Sequence, residues 1–322
     1  MTNPDGLDAA LRGQIAQVDR RVALSGGRDA HDRDQIRTAA ALAGSLRRTL
    51  GLGRFRGVLT GNTARPQLVL GFSCANRGHV VLKVYGKRRP GEAQTLRLWA
   101  RHGVPAAPVL DNGDDPTTWL LMSRVEGNVP RQDDLADDAV LTALTRDLAT
   151  TMATAHAVTS ADVPGGRPLS PTMTGYLNAA VAVLAAHGYE PPARWREATS
   201  VYDAGPATLL HGDLGLSNII RDRHHGLRLL DPSAYIGHPG FDAARWCARA
   251  AGPHRAETAL ATWCEAEPAA DTPHTRTLLG LELLLQAGTR EAVKLHHGQH
   301  KSDRDPLTQA FLTQAHHHLT KY

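Results

Sequence analysis

Three oxygen-bearing side chains fall within one short stretch, LLHGDLGLSNIIRDRHHGLRLLDP, residues 209 to 232. Asp213 and Asn218 lie in a polar loop after an apolar run, and Asp231 ends a second apolar run. A hairpin between the runs would bring all three to one edge. Phosphoryl transfer asks a protein for little covalent chemistry. It needs an oxygen acceptor beside the attacking hydroxyl and hard oxygen ligands for magnesium (Mg2+). Asp213 suits the first task, and Asn218 with Asp231 the second. Capping of turns explains any one of these residues. It does not explain the whole set of His-Gly-Asp, Asn five residues on, and then Leu-Leu-Asp.

A cation stands upstream. Lys83 sits in HVVLKVY, residues 79 to 85, whose β-branched texture predicts a strand buried on one face. An unpaired ammonium is costly there, so Lys83 needs anions. Glu92 opens a predicted helix over residues 92 to 102 and can supply one charge. The alternative is a surface lysine beside Lys87, Arg88 and Arg89, with Glu92 merely favouring a helix N-terminus.

With these residues in place the chain resembles the aminoglycoside phosphotransferase and small-molecule antibiotic kinase family, whose fold is similar to that of protein kinases. The resemblance spans roughly residues 55 to 300 and is most specific between His211 and Asp242. It implies that Asp213 is the catalytic base, that His211 supports its loop, and that Asn218 and Asp231 hold Mg2+. It further implies that Lys83 contacts the nucleotide phosphates and pairs with Glu92. Backbone groups at Met122, Ser123 and Val125 would read the base of ATP or GTP. A shortened phosphate-covering loop would lie at Gly61 and Asn62, although a plain hairpin turn also accounts for that stretch. By the same resemblance Asp242 opens a helix and accepts backbone donors from the catalytic loop. Gly212 stands where protein kinases carry Arg, so control by activation-loop phosphorylation is not expected. Tyr235, Gly237 and His238 are similar to a stretch of the fructosamine kinases, from which the chain departs at Gly240 and Phe241.

These residues need a scaffold, and the pattern along the chain describes one. Apolar residues at helical spacing (Leu11, Ile15, Val18; then Ile36, Ala40, Leu46) predict two helices before residue 50. Short β-branched runs from Phe55 to Tyr85 predict an antiparallel meander. After Gly127 the pattern is mostly helical: 141–158, 175–186, 255–266, 276–296 and 306–319. The expected fold class is α+β and bilobal. It comprises an N-terminal helical extension (1–50), a small antiparallel β-sheet N-lobe for the nucleotide (51–121), a hinge (122–127) and a larger, mainly helical C-lobe with the acceptor site (128–322).

Composition narrows the partners. The 322 residues are 42% hydrophobic and 21% charged, which excludes a disordered or fibrous chain. A net charge of +4 with 5% aromatic residues offers little surface for nucleic acid. Cys74, Cys247 and Cys264 form no close pair, and no long apolar span or signal segment stands out. A cytoplasmic protein without membrane or nucleic-acid partners is expected. Of the 17 histidines, the groups His224-His225, His296-His297, His300 and His316-His317-His318 lack carboxylate or Cys partners at ligand spacing and are read as solvated helix faces. Asp133, Asp134, Asp137 and Asp138 either attract a cationic acceptor or serve a helix start. Acceptor contacts are expected from Asp133, Asp134, Tyr235 and His238. Acids and bases balance beyond Ala243, which favours a moderately cationic or neutral glycosylated antibiotic over a polycation. The alternatives are a ketosamine or other sugar kinase, and a non-catalytic nucleotide-binding module.

Overall fold

The computed structural model describes residues 6–24, 29–59, 65–158, 166–222, 226–296 and 304–320. Two compact units emerge: Met1–Arg97 with Ala107–Val125, and Leu98–Ala106 with Glu126–Tyr322.

In the first unit, α1 (Leu7–Leu24) and α2 (His31–Thr49) form because apolar residues recur every three or four positions. The helix α2 buries Ile36, Ala39, Ala40, Ala43 and Leu46, with Asp32 and Asp34 in its first turn and Arg47 and Arg48 in its last. That charge order suits the helix dipole. A five-stranded antiparallel sheet follows in the order β1-β2-β3-β5-β4. Its strands are β1 (Arg54–Val58), β2 (Gln67–Cys74), β3 (Gly78–Tyr85), β4 (Val109–Gly113) and β5 (Trp119–Ser123). Alternate residues Leu68, Leu70 and Phe72 of β2 and Val80, Leu82 and Val84 of β3 share one core with Leu11, Val18 and Ile36 of the helices. Residues 7–50 are therefore not a separate extension. They cover one face of the sheet, and residue 50 is no boundary in the packing. The helix α3 (Glu92–Arg101) follows β3, and residues from Leu98 to Ala106 group with the second unit.

The second unit is built around α9 (Pro273–His296), which buries Leu278, Leu279, Leu281, Leu283 and Leu284. Around it stand α4 (Asp138–His156), α5 (Leu169–Ala186), α7 (Gly240–Trp246), α8 (Ala256–Ala266) and α10 (Pro306–Thr320), together with the short α6 (Trp195–Ala198). Gly288 admits α5 closely, since a Cβ there would stand 2.4 Å from that of Ala180. The helix α5 begins six residues earlier than the expected start at Gly175 and is the one helix, among the described residues, long and apolar enough to cross a membrane. The expected span covered only its last two thirds. Two small sheets carry the polar loop: β6 (Gly127–Asn128), β9 (Ile219–Asp222) and β10 (Gly226–Leu229) in one, and β7 (Arg167–Pro168), β8 (Thr208–Leu210) and β11 (Tyr235–Gly237) in the other. Of the histidines, His318 is buried, with Nε2 3.0 Å from Glu257, and is not on a solvated face. His224, His225, His297 and His300 lie outside the described residues.

Candidate active site

The strand β8 delivers the chain into the loop His211–Asn218, and a buried carboxylate fixes the loop's start. Asp242, in the first turn of α7, accepts the His211 N–H on Oδ2 and the Gly212 N–H on Oδ1, both at 2.8 Å. Two charge-assisted bonds from adjacent amides set the loop's direction, as the expected supporting role requires. Gly212 is obligatory on two grounds. Its φ is +75°, and a Cβ there would come within 2.4 Å of the Tyr235 ring. The fully buried His211 ring donates from Nε2 to the Leu230 carbonyl (2.8 Å) and accepts the Asp213 N–H on Nδ1 (3.3 Å). Burial lowers its pKa, so the ring is neutral and ties the loop to the end of β10.

Beneath Asp242 lies a charged pair the sequence did not reveal. His156, the last residue of α4, bonds Asp242 through Nε2 (3.1 Å) and Glu267 through Nδ1 (2.6 Å). Trp263 Nε1 donates to the other Glu267 oxygen at 2.7 Å. Burial opposes a charge on His156, but the two carboxylates outweigh it and raise the imidazole to about 9. His156 is therefore an imidazolium between two buried anions.

Asp213 points to a second unexpected cluster. Its Oδ1 accepts from Arg249 Nη1 at 2.8 Å and from Arg245 Nη2 at 3.5 Å. Arg245 also bonds Glu282 at 3.1 Å, and Glu282 is fully buried. Burial pushes the Asp213 carboxyl up, yet Arg249 and then Arg245 prevail and hold it down at about 2. Asp213 is thus a firmly ionised hydrogen-bond acceptor and a weak base. One cue was in the sequence, since Asp242, Arg245 and Arg249 share a helix face at spacings of three and four.

Asn218, nearly buried, donates from Nδ2 to the Asp213 carbonyl at 2.7 Å, with Asp213 Oδ2 3.3 Å away. This leaves its amide oxygen turned from Asp213, where Oδ1 accepts a long bond from the Ser217 hydroxyl at 3.4 Å. Asp231 adopts φ +53°, a strained state for a residue with a Cβ. Among the described residues no three His, Cys, Asp or Glu side chains gather into a metal cage. One amide oxygen and one carboxylate fit a hard divalent ion that takes its remaining ligands from phosphate and water.

In the first unit, β3 pairs Lys83 with Leu120 of β5 and Val69 of β2, and turns its side chain away from the core holding Leu82 and Val84. Lys83 and Glu92 are both buried, with Nζ 2.9 Å from Oε1, and Tyr85 donates its hydroxyl to the other Glu92 oxygen. The surface-lysine alternative therefore fails. At the expected hinge Met122 is in β5, Ser123 donates its N–H to Pro108 and Arg124 to His79, so the chain stays in the sheet as far as Arg124, just before Val125. Gly61 and Asn62 lie outside the described residues.

The expected acceptor contacts fare differently. His238 is buried; its Nδ1 accepts the Gly240 N–H at 3.0 Å, and burial, then His274, lowers it to about 4. Tyr235 is buried with the Arg167 guanidinium over its ring. Both residues pack the interior. Asp134 accepts the Arg131 N–H, Asp137 caps α4 and Asp138 pairs with Arg255, as helix-start residues do. Asp133 is exposed in the same turn.

Comparison with known proteins gives this geometry a context. The model of the phosphotransferase enzyme family matches residues 74–276. None of the curated proteins matches significantly in sequence. Among solved structures, an amicoumacin kinase in complex with AMP-PNP, Ca2+ and Ami is 12% identical with a TM-score of 0.58, covering 87% of this chain and 93% of that one. An aminoglycoside-3'-phosphotransferase of type VIII is 20% identical with a TM-score of 0.54, covering 77% and 98%. The choline kinase LicA from Streptococcus pneumoniae is 13% identical with a TM-score of 0.51, covering 88% and 99%. These neighbours share the protein-kinase-like fold with acceptors of quite different kinds. A family match over more than half of the chain, on a kinase-like α+β fold, makes this chain a member of the phosphotransferase enzyme family.

Proposed function

We propose that the protein transfers the γ-phosphate of ATP or GTP to a hydroxyl of a small molecule, with an aminoglycoside-like or other glycosylated antibiotic as the preferred acceptor. The observation that carries this reading is the Asp213 loop. Asp242 fixes its backbone, Arg249 and Arg245 hold one carboxylate oxygen, and Oδ2 stands beside the metal-ligand candidate Asn218. Lys83, held by Glu92, would bind the phosphates; Asn218 and Asp231 would hold the divalent ion, which neutralises phosphate charge when bound. With its pKa near 2, Asp213 orients the acceptor hydroxyl by accepting its hydrogen bond and does not abstract the proton early. A loose phosphoryl transition state demands no more, since most of the rate comes from positioning.

The ketosamine alternative loses its motif support, because Tyr235 and His238 are interior residues. The non-catalytic alternative sits poorly with an intact Lys83, Asp213, Asn218 and Asp231. A screen of antibiotics and sugars by nucleoside-diphosphate release, with ATP and with GTP, tests the reading. Asp213→Ala should lower kcat by roughly 10²–10⁴ at unchanged nucleotide affinity. Near-normal turnover by that variant would end the proposal.

A further inference from the structure

The feature the family chemistry does not account for is Arg249. After Trp246 the helix α7 widens into a π turn, Cys247–Ala251, closed by Gly252 at φ +73°. Such turns re-aim side chains and recur at functional sites. Here the turn is held in place: Gln132 Nε2 donates to the Ala250 carbonyl at 2.9 Å. The guanidinium lies over the Gly215 backbone, where a Cβ would touch Nη1 at 3.6 Å. These restraints direct it to Asp213 Oδ1 at 2.8 Å.

The charges sort into two pairs. In the interior, Arg245 is matched by Glu282 at 3.1 Å, and both are buried. At the open end Asp213 and Arg249 are 24% and 30% exposed, so these two meet an incoming acceptor. Arg249 matches the charge of Asp213 at that end. Asp213 Oδ2, with one long contact from Asn218 at 3.3 Å, remains for a hydroxyl. An ammonium group brought to the same place would gain one carboxylate and face a guanidinium within a few ångströms.

We propose that Arg249 is a positioning and selectivity residue that reserves Asp213 for an acceptor hydroxyl free of neighbouring ammonium groups, so that the protein takes neutral or singly charged acceptors and rejects polyamines. This rests on the proposed phosphotransfer at Asp213 and narrows its acceptors to glycosylated antibiotics other than the polycationic aminoglycosides.

The test uses the full chain loaded with a non-hydrolysable ATP analogue and magnesium, titrated calorimetrically with kanamycin as the polycation probe and erythromycin as the singly charged one. Arg249→Gln should bind kanamycin about tenfold more tightly than the parent, leave erythromycin within about threefold, and keep its nucleotide affinity. Arg249→Lys should restore the parent's discrimination. The gain should vanish in Arg249→Gln/Asp213→Asn, because the freed carboxylate is its source. The idea is overturned if Arg249→Gln leaves kanamycin affinity unchanged, if the gain survives loss of Asp213, or if the parent already prefers kanamycin by tenfold or more. Binding is read without turnover. A protein that binds as expected but phosphorylates no acceptor would refute the proposed function and leave this inference standing.

Discussion

The buried imidazolium yields a stability prediction with a defined sign. His156 has an ordinary pKa of 6.5 in the unfolded chain and about 9 in the folded protein, because Asp242 and Glu267 bond its two nitrogens. The folded state therefore holds more protons than the unfolded one between those values, and stability falls as pH rises through that window. The distance from 6.5 to about 9 corresponds to about 3 kcal/mol, fully present below pH 6.5 and lost above about pH 9. His156→Gln removes the charge and keeps a polar side chain, leaving two buried carboxylates without their cation at a cost of about 3–5 kcal/mol near neutral pH. Urea unfolding followed by tryptophan fluorescence is the assay, since Trp263 donates to Glu267 within the cluster. The difference in unfolding free energy between parent and variant should be largest at pH 6 and shrink by about 3 kcal/mol by pH 9.5. Cysteines and tyrosines that titrate at high pH act in both proteins and cancel in the difference. A difference that stays constant from pH 6 to 9.5 would refute a charged His156.

Three further outcomes follow from the same geometry. Asp231→Ala should abolish the stimulation of nucleotide binding by magnesium, seen in titrations with and without the ion; equal affinities for variant and parent would remove Asp231 from the ligand set. Gly212→Ala forces a Cβ onto the Tyr235 ring at φ +75°, so urea titration should show a loss of about 2 kcal/mol or more, and a variant as stable as the parent would contradict the loop's conformation. Lys83→Met should weaken nucleotide binding at least tenfold and destabilise the fold by stranding Glu92, whereas Lys83→Met/Glu92→Gln should regain stability but not affinity.

The parts legible in the sequence are those in which function and local structure use the same residues. His211, Gly212 and Asp213 are tied together by spacing, because the glycine that makes the turn and the carboxylate proposed to serve the acceptor are neighbours in the chain. The strand carrying Lys83 was legible for a similar reason: two-residue periodicity separates an inward Leu82 and Val84 from an outward Lys83. His156, Glu267 and Glu282 were not, because they come from the end of α4, the residue after α8 and the middle of α9, and become meaningful only when those segments meet α7. A lone histidine at a helix end carries no sign of the two anions it will meet.

The misread acceptor residues follow from the same cause. Tyr235 and His238 were singled out by a resemblance to the fructosamine kinases, which says nothing of burial. The strand β11 alternates: Tyr235 and Gly237 turn inward while Ile236 is half-buried, and the chain then enters α7 with His238 folded under Gly240. The cation beside Asp213 comes instead from the π turn, where one widened turn of helix carries Arg249 to the carboxylate. No residue type signals a π turn in advance. Its effect is to set a cation against the negative charge of Asp213. The same fold serves a choline kinase and an aminoglycoside phosphotransferase, and under the proposed phosphotransfer the Arg249–Asp213 pair would bear on which acceptor this chain admits.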